Sequence, residues 1–213
     1  MRKYNIIDLF SGCGGLLDGF LQSGLYYPVA SVEWEESPVL TLRKRLKEKY
    51  GVLEANQSVI FFDMQRTDEL LHGFDDPKYG KNPGLLKLVG KKKIDFIIGG
   101  PPCQAYSVAG RVSVDQKEKP DYRNYLFEYY LKIVSTFHPK MFVFENVPGM
   151  LSAMPDGTPI IDLIRRDMAN AGYEIIDNIR KFAILDASDY HVPQIRKRVI
   201  LVGMNKNYFD GKN

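Results

Sequence analysis

Five short apolar runs recur along the chain, and each leads within two residues to a glycine or an acid. They are Ile6-Ile7-Asp8-Leu9-Phe10, Val29-Ala30-Ser31-Val32, Val59-Ile60-Phe61-Phe62, Ile94 to Ile98, and Met141 to Phe144. Runs this short and this apolar read as strands buried on both faces. The segments between them carry helical patterns. Leu16 to Leu21 is one. Another starts at Ser37-Pro38, with Ser as cap and Pro in the first turn, and carries Val39, Leu42 and Leu46 as its stripe. Tyr125 to Phe137 is a third, stopped by Pro139, and a fourth runs from Thr158-Pro159 to Gly172. Strands alternating with helices predict βαβ units and a mostly parallel sheet. Tyr173 to Ile184 and Arg198 to Val202 read as two last strands in an antiparallel pair. Phe74 to Lys93 reads as loop with a short helix, and Val112 to Tyr122 as a mobile surface loop.

Composition narrows the class. The 213 residues fit one domain. With 45% hydrophobic and 26% charged residues, the chain has an ordinary globular make-up. Its net charge of +3 is too small to mark a nucleic-acid binder by itself. Two cysteines exclude a disulfide-stapled scaffold. No apolar run approaches the roughly 18–20 residues of a membrane span. The first residues, Met1-Arg2-Lys3-Tyr4-Asn5, do not form a signal peptide. The expectation is a reduced, intracellular enzyme domain without internal repeats.

Ligands of an open parallel sheet bind beyond the carboxyl ends of its strands. That rule selects the Gly12–Gly15 turn, Glu33, Asp63, the Gly99–Gln104 turn and Glu145. Glu33 follows Gly12 by 21 residues, the spacing of an acid that takes ribose hydroxyls. Leu17 stands where a dinucleotide fingerprint has its third glycine. A nicotinamide dehydrogenase is therefore disfavoured, and a cofactor with ribose but no pyrophosphate fits better. The turn alone occurs in many α/β proteins.

Gly99-Gly100-Pro101-Pro102-Cys103-Gln104 is more specific. Two prolines fix the backbone and present Cys103 at a strand end, where a thiol is open to act as nucleophile. Free cysteines are more often packing residues, and Cys13, without a proline frame, reads as one. Glu145 ends the next strand, either as proton donor and hydrogen-bond anchor or as a plain turn acid. In Gln194-Ile195-Arg196-Lys197-Arg198, an extended backbone puts Gln194, Arg196 and Arg198 on one face. Arginines there hold an anion, brace a loop, or simply face solvent on an edge strand.

In order, these segments resemble the motifs of DNA (cytosine-5) methyltransferases. Asp8-Leu9-Phe10-Ser11-Gly12-Cys13-Gly14-Gly15 is similar to the cofactor-binding first motif, and Glu33-Trp34 and Asp63-Met64 to the second and third. Pro101-Pro102-Cys103-Gln104 resembles the catalytic cysteine motif. Asp121-Tyr122-Arg123-Asn124-Tyr125-Leu126-Phe127 resembles D-x-R-x-x-L-F, Glu145-Asn146-Val147 resembles E-N-V, and Gln194 to Arg198 resembles Q-x-R-x-R.

The resemblance implies a Rossmann-like S-adenosylmethionine-dependent methyltransferase fold, with a seven-stranded sheet and an antiparallel last hairpin. It implies S-adenosylmethionine as cofactor, S-adenosylhomocysteine as product, and no metal. Phe10, Ser11, Gly12, Gly14, Gly15, Glu33, Trp34, Asp63, Met64, Gly100, Pro102 and Leu126 would bind the cofactor, with Trp34 stacked on adenine. Cys103 would attack carbon 6 of a flipped-out cytosine while Glu145 holds ring nitrogen 3 and the amino group. Arg196 would hold the base's carbonyl oxygen, and Arg198 would brace the catalytic loop. Gln104, Ser107 and Arg111, in a loop that also carries Lys117 and Lys119, would contact double-stranded DNA.

The resemblance also implies a bacterial cytoplasmic enzyme on the nucleoid, of restriction–modification type and away from membranes. Residues 1–213 would be the catalytic domain alone. The target-recognition region and the final G-N-[SA]-V motif of the pattern are not found in the sequence. A split enzyme with a partner chain, or a missing C-terminal region, follows as the expectation. A tRNA cytosine-5 methyltransferase and a non-catalytic regulatory homologue stay open as alternatives.

Overall fold

A computed structural model of the chain describes residues 2–102, 126–154 and 157–209. Five apolar segments form the parallel part of one sheet. These are β1 (Tyr4–Leu9), β2 (Tyr26–Glu33), β3 (Val59–Phe61), β6 (Phe96–Gly99) and β7 (Met141–Asn146). A long last strand, β10 (Lys197–Asn205), runs antiparallel to β7, and β8 (Tyr173–Ile175) and β9 (Ile184–Asp186) run antiparallel to β10. The order is β3-β2-β1-β6-β7-β10-β8, with β9 also on β10. Among the described residues the sheet thus has eight strands rather than seven.

Helices cover the sheet because its strands are apolar on both sides. Ile6, Ile98 and Val143 pack with α1 (Gly15–Gln22) and α2 (Glu36–Tyr50) through Leu17, Leu21, Val39, Leu42 and Leu46. Ile7, Leu9, Val32, Ile97, Phe142 and Phe144 point the other way. They pack against α6 (Leu126–Phe137) and α7 (Ile160–Asn170). The period-two alternation along β1 puts Ile6 in one layer and Ile7 in the other.

Three local expectations change. α2 begins at Glu36 rather than at Ser37-Pro38. The first amides of a helix need no intrahelical acceptor, so Pro38 is tolerated within the first turn, and Val39 N–H, the next, donates to Glu35 O. Within 74–93, β4 (Phe74–Asp76) and β5 (Gly80–Asn82) form a hairpin, and α5 (Leu85–Val89) follows. Asp76 holds its turn by accepting from the amides of Lys78 and Tyr79, and Arg66 pairs with the same carboxylate at 2.7 Å. The stretch 173–184 is interrupted. Asn178 accepts from Lys181 N–H and starts the four-residue helix α8 (Ile179–Phe182) between β8 and β9. The proposed surface loop 112–122 lies outside the described residues.

The central seam is β6 beside β7, parallel, with Gly99 level with Phe144. Tyr130 of α6 is fully buried against this seam, and its hydroxyl donates toward the carbonyls of Ile97 and Val143, each at 3.1 Å. Tyr130→Phe should lower stability by about 1–3 kcal/mol, because it leaves buried carbonyls without that donor. Urea melts would check this, and an unchanged midpoint would contradict it.

Candidate active site

Because the first five sheet strands run parallel, their carboxyl ends share one rim. Phe10, Val32, Glu33, Trp34, Glu35, Asp63, Met64, Gln65, Pro102 and Leu126 line a cavity of about 150 Å³ there. Seven of these were expected from the sequence. Val32, Glu35 and Gln65 were not, although each flanks a strand-end acid. Trp34 is 47% exposed, so its ring belongs to the cavity mouth rather than to the core.

The glycine turn wires this rim together. Phe10 sits at φ 55, a left-handed conformation unusual for a bulky residue, and turns the chain out of β1 into the cavity wall. Ser11 donates through its amide and its hydroxyl to Val32 O. Gly14 is the left-handed cap of α1 (φ 82), and a Cβ there would meet Leu42 Cδ1 at 2.5 Å. Ser11, Gly12, Gly14 and Gly15 therefore shape the site without lining the cavity.

Glu33 is 6% exposed and its carboxylate is held by backbone. Oε2 accepts from Gly12 N–H at 2.7 Å, and Oε1 accepts from Trp34 and Glu35 N–H at 2.8 and 3.0 Å. A carboxylate offers about four acceptor positions, so about one remains, on Oε2. That is room for one ribose hydroxyl bond. Asp63 Oδ1 accepts from Gln65 N–H. A half-exposed aromatic, a preset carboxylate with a spare lone pair, and a second strand-end acid fit an adenosine-type ligand.

The second half of the rim is the turn after β6. Gly100 lies directly against Glu145, and a Cβ on it would stand 2.6 Å from Glu145 Oε2. Glu145 Oε1 pairs with Arg198 Nε at 2.8 Å, with both side chains about a quarter exposed. Arg198, rather than Arg196, is brought onto Glu145. Arg196 is exposed, and its backbone N–H donates to Asp186 Oδ1 at 3.0 Å. Gln194 is exposed as well. Gly100 contacts Glu145 instead of lining the cavity, whereas Pro102 does line it. Cys103, Gln104, Ser107 and Arg111 lie outside the described residues. Cys13 is exposed on the glycine turn rather than packed. Among the described residues, no group of three or more His, Cys, Asp or Glu is arranged to hold a metal ion. No helix among them is long and apolar enough to cross a membrane.

Asp8 lies in β1 just behind the turn, 1% exposed, with Oδ2 lacking a hydrogen-bond partner among the described residues. Burial first, and the nearby Glu33 charge second, push its carboxyl well above the usual carboxylate range. Unfolded, it would lose its proton near pH ~4. Folded, it keeps the proton to higher pH, so its contribution is full below that pH and is lost as pH rises. Asp8→Asn removes this titration. Its stability relative to the parent should grow as the pH rises above about 4 in urea melts. A pH-independent difference would contradict the assignment. Gly100→Ala should push the Glu145 carboxylate off Arg198, because the new Cβ would stand 2.6 Å from Glu145 Oε2. A crystal structure of the variant would show the ion pair broken, and an intact Glu145–Arg198 pair would refute it.

Comparison with known proteins agrees with this layout. The family model described as C-5 cytosine-specific DNA methylase matches residues 4–210. The chain is 33% identical to type II methyltransferase M.Bpa9945I of Bacillus paralicheniformis, covering 94% of this chain and 54% of that protein. It is 35% identical to type II methyltransferase M.DdeI of Desulfomicrobium norvegicum, covering 95% and 41%. Among solved structures, a putative DNA modification methyltransferase from an E. coli prophage superposes with a TM-score of 0.69 at 26% identity, over 97% of this chain and 48% of that one. The chain spans about half the length of the curated relatives it matches. On the match over residues 4–210, it belongs to the C-5 cytosine-specific DNA methylase family.

Proposed function

We propose that residues 1–213 are the catalytic domain of a DNA cytosine-5 methyltransferase, with S-adenosylmethionine as cofactor and Cys103 as covalent nucleophile. The observation that carries this reading is the turn after β6. Its Gly100 backs onto Glu145, and its Pro102 lines the cavity bounded by Phe10, Glu33 and Trp34. One turn therefore joins the carboxylate to the cofactor site, and the next residue in sequence is Cys103.

Carbon 5 of cytosine is too weak a nucleophile to take a methyl group unaided. Addition of the Cys103 thiolate to carbon 6 moves electron density onto carbon 5. Glu145 assists by hydrogen-bonding ring nitrogen 3 and the amino group, and Arg198 holds Glu145 in place through its Nε. Bound S-adenosylmethionine supplies an activated methyl on a sulfonium. Trp34 and Phe10 would hold its adenine, and the spare position on Glu33 Oε2 would take a ribose hydroxyl. A water molecule would then take the carbon 5 proton, and the electron pair of that C–H bond would form the 5,6 double bond as the carbon 6–sulfur bond breaks, releasing Cys103 as thiolate and restoring the ring. The cytosine reaches the site only when flipped from the stack. Arg196, exposed just before β10, would hold the base's carbonyl oxygen.

Because the matched relatives are about twice as long, the reading includes a requirement for the remaining half. It would lie in the same polypeptide or in a partner chain and would carry target recognition.

The test is covalent capture by DNA containing 5-fluorocytosine, whose fluorine blocks the final elimination. With cofactor and the complementing half present, a denaturant-stable adduct should form. Cys103→Ser should abolish it, and Glu145→Gln should slow it by about 10²–10⁴-fold. The chain alone should methylate weakly or not at all, and tRNA should not replace DNA. No adduct with the parent protein, or an adduct surviving Cys103→Ser, would sink the reading.

A further inference from the structure

We infer that Asn146 is a positioning residue, whose side-chain amide fixes the proline turn that leads into Cys103. The inference rests on the proposed reaction but concerns a residue that touches neither base nor cofactor in that scheme.

The turn has an unusual holding problem. Pro101 and Pro102 have no amide hydrogen, so neither can donate a backbone bond to anchor the segment. Its carbonyls are the handles left, and a buried carbonyl needs a donor. β6 ends at Gly99, level with Phe144 of β7, and beyond it the chain runs alongside Glu145 and Asn146. Asn146 is 3% exposed. Its Nδ2 donates to Pro101 O at 3.2 Å, and its Oδ1 accepts from Val147 N–H at 2.7 Å.

The two ends of one amide thus do two jobs. One ties the proline turn to β7, and the other locks the side chain to its own strand end. Aspartate lacks the donor, and alanine lacks both. One residue earlier, the bare Cα of Gly100 rests on Glu145 Oε2. The turn is set against β7 at two consecutive residues, one steric and one hydrogen-bonded. Asn146 thereby fixes the distance between Glu145 and the point where the chain enters Cys103. Asn146 does not line the cofactor cavity, so cofactor binding and the covalent step separate cleanly in a test.

The test compares Asn146→Asp and Asn146→Ala with the parent in the active assembly. The readouts are the rate of 5-fluorocytosine adduct formation, the cofactor Kd and the melting temperature. Both variants should slow the adduct by about 10²-fold, the scale of a small misplacement of reacting groups, with cofactor Kd within about threefold. The aspartate variant separates donor from shape, since it keeps the side chain's size. An adduct rate within about threefold of the parent in either variant would overturn the inference while leaving the proposed function standing. So would parallel loss of cofactor affinity and adduct rate in both, which is the signature of a merely structural residue. No adduct with the parent removes the proposed function and this inference together.

Discussion

The parallel pairing of β6 with β7 is the constraint on which the site depends. Parallel neighbours in register bring their carboxyl ends to the same level, with Gly99 opposite Phe144. The residues that follow are then neighbours without any long side chain having to reach. Gly100 touches Glu145, and Pro101 meets Asn146. A one-residue slip in this register would exchange the inward and outward faces of β7 and turn Glu145 away from the turn. The register is held by the core on both faces, where Ile97, Phe142 and Phe144 pack on one side and Ile98 and Val143 on the other.

The cofactor side repeats the same logic on β1 and β2. There the connection is a hydrogen bond rather than a steric contact: Gly12 N–H reaches across to Glu33 Oε2. The glycine turn and the acid thus hold each other in place through a direct hydrogen bond. The buried Asp8 behind the turn works against stability at neutral pH, since it lies beside Glu33 with an oxygen unpartnered among the described residues. Local strain of this kind, with Phe10 in a left-handed conformation, is what functional rims commonly carry.

Much of this was legible in the chain because two strong signals coincide. Buried parallel strands advertise themselves as apolar runs, and the rule that ligands sit at strand ends then picks Glu33, Asp63, the proline turn and Glu145. What escaped was set by polar side chains whose hydrogen-bond partners the hydrophobic pattern does not display. The β4–β5 turn is held by Asp76, which accepts from Lys78 and Tyr79 and pairs with Arg66. The break between β8 and β9 comes from a local cap, Asn178, which was readable but outweighed by the apolar residues around it. Alternation put Arg196 and Arg198 on one face, but Arg196 precedes β10 and is exposed, whereas Arg198 is half-buried on Glu145. It could not say that only Arg198 reaches Glu145, because that depends on where β10 begins its pairing with β7. Asn146 looked like the middle of a motif, and its role emerges only once Pro101 O is seen beside it.

The proposed transfer of a methyl group to carbon 5 of cytosine in DNA can be read by nucleoside mass spectrometry of DNA treated with the chain, its complementing half and isotopically labelled S-adenosylmethionine. Label should appear in 5-methyl-2′-deoxycytidine and be lost when Cys103 is replaced by Ser. Label on an exocyclic nitrogen of cytosine or adenine, or no label in DNA at all, would contradict it.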